Sequence, residues 1–448
     1  MIISFFISLI ISVSLFFITG SFASTAFAIL IIIIGTLSSF LLKKEYRQNG
    51  LKLFYIVFSV YTFFALFHYL DVYYFNNFIF PDEFGSFLPW AQSLSQNKSL
   101  ISVFNDAYDR SVLIGNRGYI FYIGAVSYIA HNYLGGFNEL VLFLSSVLFG
   151  SLSALAIYRL LLFNADKKRS FRYALLYSLF SASLLFSFVL LRDIHISFFF
   201  LCGFIIVSKK HSLKGLLLLI LLNILVWNFR YHHGFFFIIL LLYYIYIKYR
   251  KQKVIFITIG IIAILFLSTF LYENYSRVSR SMEGYAEFTE ERILEKDDSI
   301  GKIFWKLPTP LKEVGIVLNS QLQPFPSWNA LANSKNLYAG IIALPSILYS
   351  FFWFTVIFSL LKWFVIKRKY KLISKELRLL SLIALFLIIA NVSNPNLRRI
   401  MCVYPILYLI YVIINTKLIS RRQVNYTVFQ STVTYIGLVA VYLIVKFV

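Results

Sequence analysis

Stretches of apolar side chains as long as a membrane is thick recur from one end of this chain to the other, separated by short charged clusters. MIISFFISLIISVSLFF opens the series in 1–19. Comparable runs occupy 21–42, 51–71, 138–162, 173–191, 194–208, 215–229, 234–248, 254–272, 338–365, 376–391, 399–416 and 432–447. A hydrocarbon core about 30 Å thick takes about 20 residues of helix to cross. The expectation is an all-α, polytopic membrane protein with about thirteen transmembrane helices. Composition agrees: 60% of the 448 residues are hydrophobic and 14% charged, where a globular domain has roughly half of its residues apolar. No soluble domain large enough to fold alone is expected.

Topology follows from where the cations lie. Basic clusters occur at Lys43/Lys44/Arg47, Lys167/Lys168/Arg169/Arg172, Lys209/Lys210/Lys214, Lys248/Arg250/Lys251/Lys253, Lys367/Arg368/Lys369/Lys371 and Lys417/Arg421/Arg422. Cytoplasmic loops carry such clusters. One further apolar stretch, 117–134, decides the count. If it spans, the cluster at 167–172 falls outside while that at 43–47 stays inside. If it rests in the membrane interface, all six clusters fall inside. Its sequence, RGYIFYIGAVSYIAHNYLGG, is amphipathic with polar ends, which suits an interfacial helix. The stretch is therefore expected not to cross. Two long outer loops result, 72–137 and 273–337, and only Glu45, Asp166 and Glu376 of the 19 acidic residues lie inside. Loops of such length are uncommon unless functional.

Several function classes lose support on the same grounds. The net charge of +23 sits in loops facing anionic lipid, and most of the aromatic residues lie within the apolar runs, so nucleic acid is not an expected partner. Cys202 and Cys402 lie in separate apolar segments and signal neither a disulfide framework nor a metal site. The N-terminus lacks a basic leader, and the apolar run continues through Ala26-Phe27-Ala28, so cleavage there is not expected. There is no phosphate-binding glycine loop, HExxH or GxSxG. Asp106-x-x-Asp109-Arg110 is too generic for a metal assignment.

The informative residues are charges at the outer ends of spans, where lipid makes them costly unless paired or solvated. Asp82-Glu83 opens an amphipathic stretch after the span at 51–71. Such a pair either caps a helix N-terminus or supplies a general base for an acceptor hydroxyl. Arg192-Asp193-Ile194-His195 sits at a tight turn, and Arg230-Tyr231-His232-His233 at another. Either can be an interfacial anchor or a phosphate or sugar site. Adjacent histidines diverge on a helix, so they are weak metal evidence. Arg398-Arg399, after Asn394-Pro395-Asn396, breaks the positive-inside pattern. A basic pair on that side needs an anionic partner, and a lipid phosphate or pyrophosphate suits it.

In this arrangement the chain resembles the GT-C superfamily of membrane glycosyltransferases, closest to protein O-mannosyltransferases and lipid A aminoarabinose transferases. Asp82-Glu83 with Ala91 downstream looks like the acidic opening of that family's first outer loop, and Arg117 to Gly136 like its second membrane-parallel helix. A span from Glu139, a basic inner loop, Asp193 at an outer turn, and Arg398-Arg399 with Pro405 complete the likeness. It covers 51–272 best, which would be the catalytic transmembrane module. The hairpin and basic loop of 1–50 precede it, and the outer loop 273–337 and the C-terminal helices of 338–448 follow. Asn116-Arg117-Gly118-Tyr119 stands where the family often has a proline pair. The hairpin of 1–42 is extra, and no periplasmic C-terminal domain of the oligosaccharyltransferase kind is expected.

The resemblance implies transfer from a polyprenyl-phosphate-linked sugar donor to a saccharide or lipid-linked acceptor, at the extracytoplasmic side of a plasma or inner membrane, in cell-envelope synthesis. Asp82 would be the base, with Glu83 or Asp193 positioning it. Arg398 or Arg399, with Arg192 or Arg230, would hold the leaving phosphate. Arg117, His195 and His232 would complete the substrate-binding set. No cofactor is required, although a divalent metal on the acidic residues is compatible with such an enzyme. Two other readings stand beside it. One is a repeat-unit polymerase for O-antigen or capsule. The other is a lipid-linked oligosaccharide flippase or other transporter, against which stands the lack of internal repeats and of midplane Gly/Pro breaks.

Overall fold

The computed structural model describes residues 1–109, 116–209, 212–249, 307–309, 311, 312, 315, 321, 327–390 and 397–447. Among these the regular structure is helical and there is no strand. The expected span at 254–272 and most of the loop at 273–337 lie outside the described residues.

Helices α1 (Ile2–Thr19) and α2 (Phe22–Ser39) form a hairpin against α3 (Lys44–Phe75). Small hydroxyl residues allow close packing of helices in lipid. Ser8 Oγ reaches Ser59 Oγ at 2.9 Å and Tyr55 O at 3.1 Å, and Thr36 Oγ1 reaches the Tyr55 hydroxyl at 2.9 Å. At the centre runs α7 (Glu139–Leu161), packed on α3 and on α10 (Asp193–Val207). Then come α11 (Leu213–Phe229) and α12 (Tyr231–Tyr249). After the loop follow α13 (Leu337–Ile366), α14 (Lys375–Ala390), α15 (Leu397–Leu418) and α16 (Arg421–Phe447). Among the described residues seven helices, α1, α2, α3, α7, α13, α15 and α16, are long and apolar enough to cross a membrane, and α10, α11 and α12 are shorter apolar helices. This is a helical membrane protein.

Three helices fill the first long loop: α4 (Leu88–Ser95), α5 (Leu100–Asp109) and α6 (Arg117–Tyr133). The two ends of α6 meet different elements. At its start, a Cβ on Gly118 would lie 2.7 Å from Asn228 Cβ, in the last turn of α11, so glycine lets the two backbones meet. Tyr108 of α5 donates to the same Asn228 side chain at 2.9 Å. Past its C-terminus, Gly135 lies against Phe22 at the start of α2. Asn138, which caps α7, hydrogen-bonds to Ser24 and to Tyr69 near the end of α3. The loop thus leaves α3 and enters α7 at one end of the molecule. Lys52 and Arg169 lie at the other. Lys52 lies over the Phe171 ring at 5.8 Å, and Arg169 donates to Thr416 O at 3.2 Å.

One feature of α6 differs from a helix lying flat on a surface. The Tyr122 ring is 5.7 Å from Phe149, about 15 Å along α7 from its first residue. The helix slants inward because its N-terminal half rests on the recessed ends of α10 and α11.

The expected span at 173–191 is not one helix. Helix α8 (Lys167–Phe180) stops at Ser181, α9 (Ala182–Phe186) adds barely more than a turn, and residues 187–192 are irregular. Irregular backbone at membrane depth persists only where protein or a water-filled cavity surrounds it. Here Ser187 to Leu191 are buried, and side chains take up the freed backbone groups. Tyr61 donates to Ser178 O at 2.6 Å, Ser146 to Val189 O at 2.7 Å, and Leu190 N–H donates to Glu83 Oε1 at 2.7 Å. Gly150 of α7 faces the break, where a Cβ would run into Ser187 Oγ.

Candidate functional site

Four helix ends and one loop converge beside this break. α10 begins at Asp193, directly after the irregular segment, and opposite the middle of α7. α11 ends at Arg230, whose extended backbone separates it from α12. The entry of α15 carries Arg398 and Arg399. The loop after α3 brings Asp82 to the start of a π-helical turn, Glu83–Phe87. Such turns are frequent at functional sites.

These pieces meet in a row of charge-assisted hydrogen bonds. Asp193, completely buried, accepts from Arg230 Nη1 at 2.7 Å on Oδ1 and from Arg398 Nε at 3.0 Å on Oδ2. Arg398 turns its Nη2 to Asp82 Oδ2 at 2.8 Å. The Asp82 side chain is 49% exposed, against 14% for Arg398 and 0% for Asp193. Asp82 Oδ1 accepts no hydrogen bond from the described residues. The Phe80 ring lies 5.3 Å from the Arg398 guanidinium. Arg192 acts electrostatically on Asp193, and Arg399, Arg230 and Arg192 act on His232. Arg230, Arg398 and Arg192 thus act on Asp193, and Arg398 also holds Asp82, whose side chain is open to water.

Other expected site residues take different places. Glu83 is fully buried. It accepts from Leu190 N–H, from Phe80 N–H at 3.1 Å, and lies 3.2 Å from His68 Nε2. Its carboxylate is consumed in holding the 80–83 loop to the broken helix, so it faces no substrate. His195 is also fully buried, boxed by Phe149, Tyr122, Tyr119 and Phe229 at centroid distances of 4.3, 5.1, 5.4 and 5.8 Å. A ring packed among aromatics in this way is a core residue rather than a ligand contact. Arg117 lies over the Tyr108 ring at 5.7 Å and outside the row. His232 is half-buried against Tyr231.

No protein-family model, curated protein or solved structure matches this chain. The site is therefore read from its own geometry.

Two residues that the sequence reading passed over, His68 and Phe80, belong to it, as does His233. His68, on α3, partners Glu83. His233 Nε2 is 2.9 Å from Arg399 O and so fixes the backbone that carries Arg398. Phe80 packs on the Arg398 guanidinium. His68 had a legible signal, an ionisable side chain inside an apolar span. Tyr119 and Tyr122 of α6 lie nearby, and burial pushes both phenols well above their usual range, so neither is a proton acceptor at neutral pH. Among the described residues no group of three or more His, Cys, Asp or Glu side chains is placed to hold a metal. A crevice of about 660 Å³ lined by Tyr243, Tyr246, Phe364, Lys375 and Arg378 lies elsewhere, between the later part of α12 and the start of α14.

Proposed function

We propose that this protein is a membrane-embedded glycosyltransferase of the GT-C kind, taking sugar from a polyprenyl-phosphate-linked donor. The observation that carries the reading is the Asp82–Arg398–Asp193 row. It joins a half-exposed carboxylate to a cation-rich end, with residues drawn from three distant parts of the chain. An anionic lipid headgroup and an acceptor hydroxyl are the chemistry such a pair suits. The reading includes about thirteen spans, a site on the extracytoplasmic side of a plasma or inner membrane, and a saccharide or lipid-linked acceptor in envelope synthesis.

In this mechanism the acceptor O–H gives its proton to Asp82 as its oxygen bonds to the anomeric carbon. The bond from that carbon to the phosphate oxygen breaks, and its electron pair leaves with the polyprenyl phosphate. The charge developing on that oxygen falls among Arg398, Arg399 and Arg192. Fixed donors aimed at developing charge lower the barrier most in sites that exclude water. Asp193, tied to Arg230 and Arg398, positions the clamp and touches no substrate.

A general base contributes about 10²–10⁴-fold. Asp82→Asn is therefore expected to reduce transfer from a labelled lipid-phosphate sugar by that factor, with normal expression. Arg398→Ala is expected to reduce turnover as well as donor binding. Full activity in Asp82→Asn would remove Asp82 as the base. A laddered product from lipid-linked repeat units would point to a polymerase instead.

A further inference from the structure

The guanidinium that the proposed donor needs is already engaged. Arg398 spends the Nε–Nη2 edge of its fork on two carboxylates, Asp193 at 3.0 Å and Asp82 at 2.8 Å. That edge is one that can bind phosphate in bidentate fashion. A phosphate brought to it would sit against Asp82, like charge beside like charge.

The two carboxylates are not equally able to yield. Asp193 is completely buried and held by a second cation, Arg230, on its other oxygen. Releasing it would strand a buried charge, which is strongly unfavourable. Asp82 is 49% exposed, holds Arg398 through one oxygen, and lies in the loop after α3 rather than within a long helix. The neighbouring Glu83 is anchored independently to Leu190, Phe80 and His68. The loop therefore stays in place while the Asp82 side chain rotates.

We infer that Asp82 and the phosphate of the donor lipid compete for Arg398, so that donor binding releases Asp82 from an autoinhibitory ion pair. Until then the guanidinium occupies Asp82 Oδ2 and holds the carboxylate turned towards Arg398. Once phosphate replaces it, the carboxylate is free to accept a proton. The donor thus arms the base, and the acceptor reacts second. This inference rests on the glycosyltransferase reading, whose clamp is Arg398.

Binding can test it without turnover. Farnesyl phosphate, a short polyprenyl phosphate, would be titrated into the full-length protein in lipid nanodiscs, with farnesol as the phosphate-free control. Asp82→Asn is expected to bind farnesyl phosphate about tenfold more tightly than the unaltered protein, the equivalent of 1.4 kcal/mol at 25 °C. Asp82→Glu, which keeps the charge, is expected to remain within about threefold of it. Arg398→Gln is expected to bind at least about tenfold more weakly. The gain from Asp82→Asn is expected to vanish in the Arg398→Gln background, because residues acting on one partner are not additive. Farnesol binding should not change across the set. Equal or weaker binding by Asp82→Asn, with Arg398→Gln still impaired, overturns the competition and leaves the clamp standing. Undiminished binding by Arg398→Gln overturns both.

Discussion

Neighbouring carboxylates in this chain have opposite fates. Asp82 is half exposed and shares Arg398, whereas Glu83 is buried under three contacts. The difference is measurable as stability. Glu83→Ala strands the Leu190 and Phe80 N–H groups, and a buried unsatisfied donor costs about 1–3 kcal/mol. Asp82→Asn alters a partly solvated pair, and exposed pairs contribute about 0–1 kcal/mol. Glu83→Ala is therefore expected to lower the thermal midpoint in detergent markedly, and Asp82→Asn to leave it nearly unchanged. Equal midpoints would show that Glu83 is no anchor. Asp82, Asp193, Arg230 and Arg398 were legible in the sequence because charges at span ends are costly and announce a purpose. Which of Asp82 and Glu83 meets water was not, since that depends on where Leu190 N–H points. The burial of His195 was equally hidden: nothing in Asp193-Ile194-His195 indicates that Phe149 of α7 fills the space beside the ring.

Among the helices, the break after α8 has the largest consequence. SLFSASLLFSFVLL reads as unbroken lipid-soluble sequence, and its hydropathy conceals the stop at Ser181. The serines at 181, 183 and 187 are the only local hint, as hydroxyls compete for backbone groups. What stabilises the break comes from elsewhere, through Tyr61 and Ser146. Tyr61→Phe deletes the donor to Ser178 O, and Ser146→Ala the donor to Val189 O. Tyr61→Phe is expected to destabilise by about 1–3 kcal/mol, and Ser146→Ala by only about 0.5–1.5 kcal/mol because Leu191 N–H still donates to Val189 O at 2.9 Å, each read as a lower thermal midpoint. Because the carbonyls differ, the double variant is expected to lose nearly the sum. If neither variant moves the midpoint, the irregular segment has other support. That 117–134 forms a helix between α5 and α7 was legible in its apolar run. Its inward slant was not, since that depends on how far down α7 the ends of α10 and α11 lie.

Over the whole molecule, the helices around the site are short. α10 has 15 residues and α11 has 17, or roughly 22 and 26 Å of rise, against a hydrocarbon core of about 30 Å. Leu213, Leu217, Leu221 and Ile224 of α11 are exposed along its length, as side chains facing lipid would be. Lipid bordering a helix too short for it thins or tilts to match, at a modest cost per ångström. On the proposed function, a bilayer matched to these helices would be drawn down beside Arg230 and Arg398, bringing headgroups towards the charged row, and membrane thickness would affect the rate. Proteoliposomes of shorter-chain phosphatidylcholine are expected to give faster transfer than longer-chain ones at equal donor content, and a rate indifferent to chain length would show that no such dimple forms. A transferase of the proposed kind would then work best where the lipid is thin, the hydrophobic mismatch serving as the funnel that lowers a long-tailed donor to the arginines.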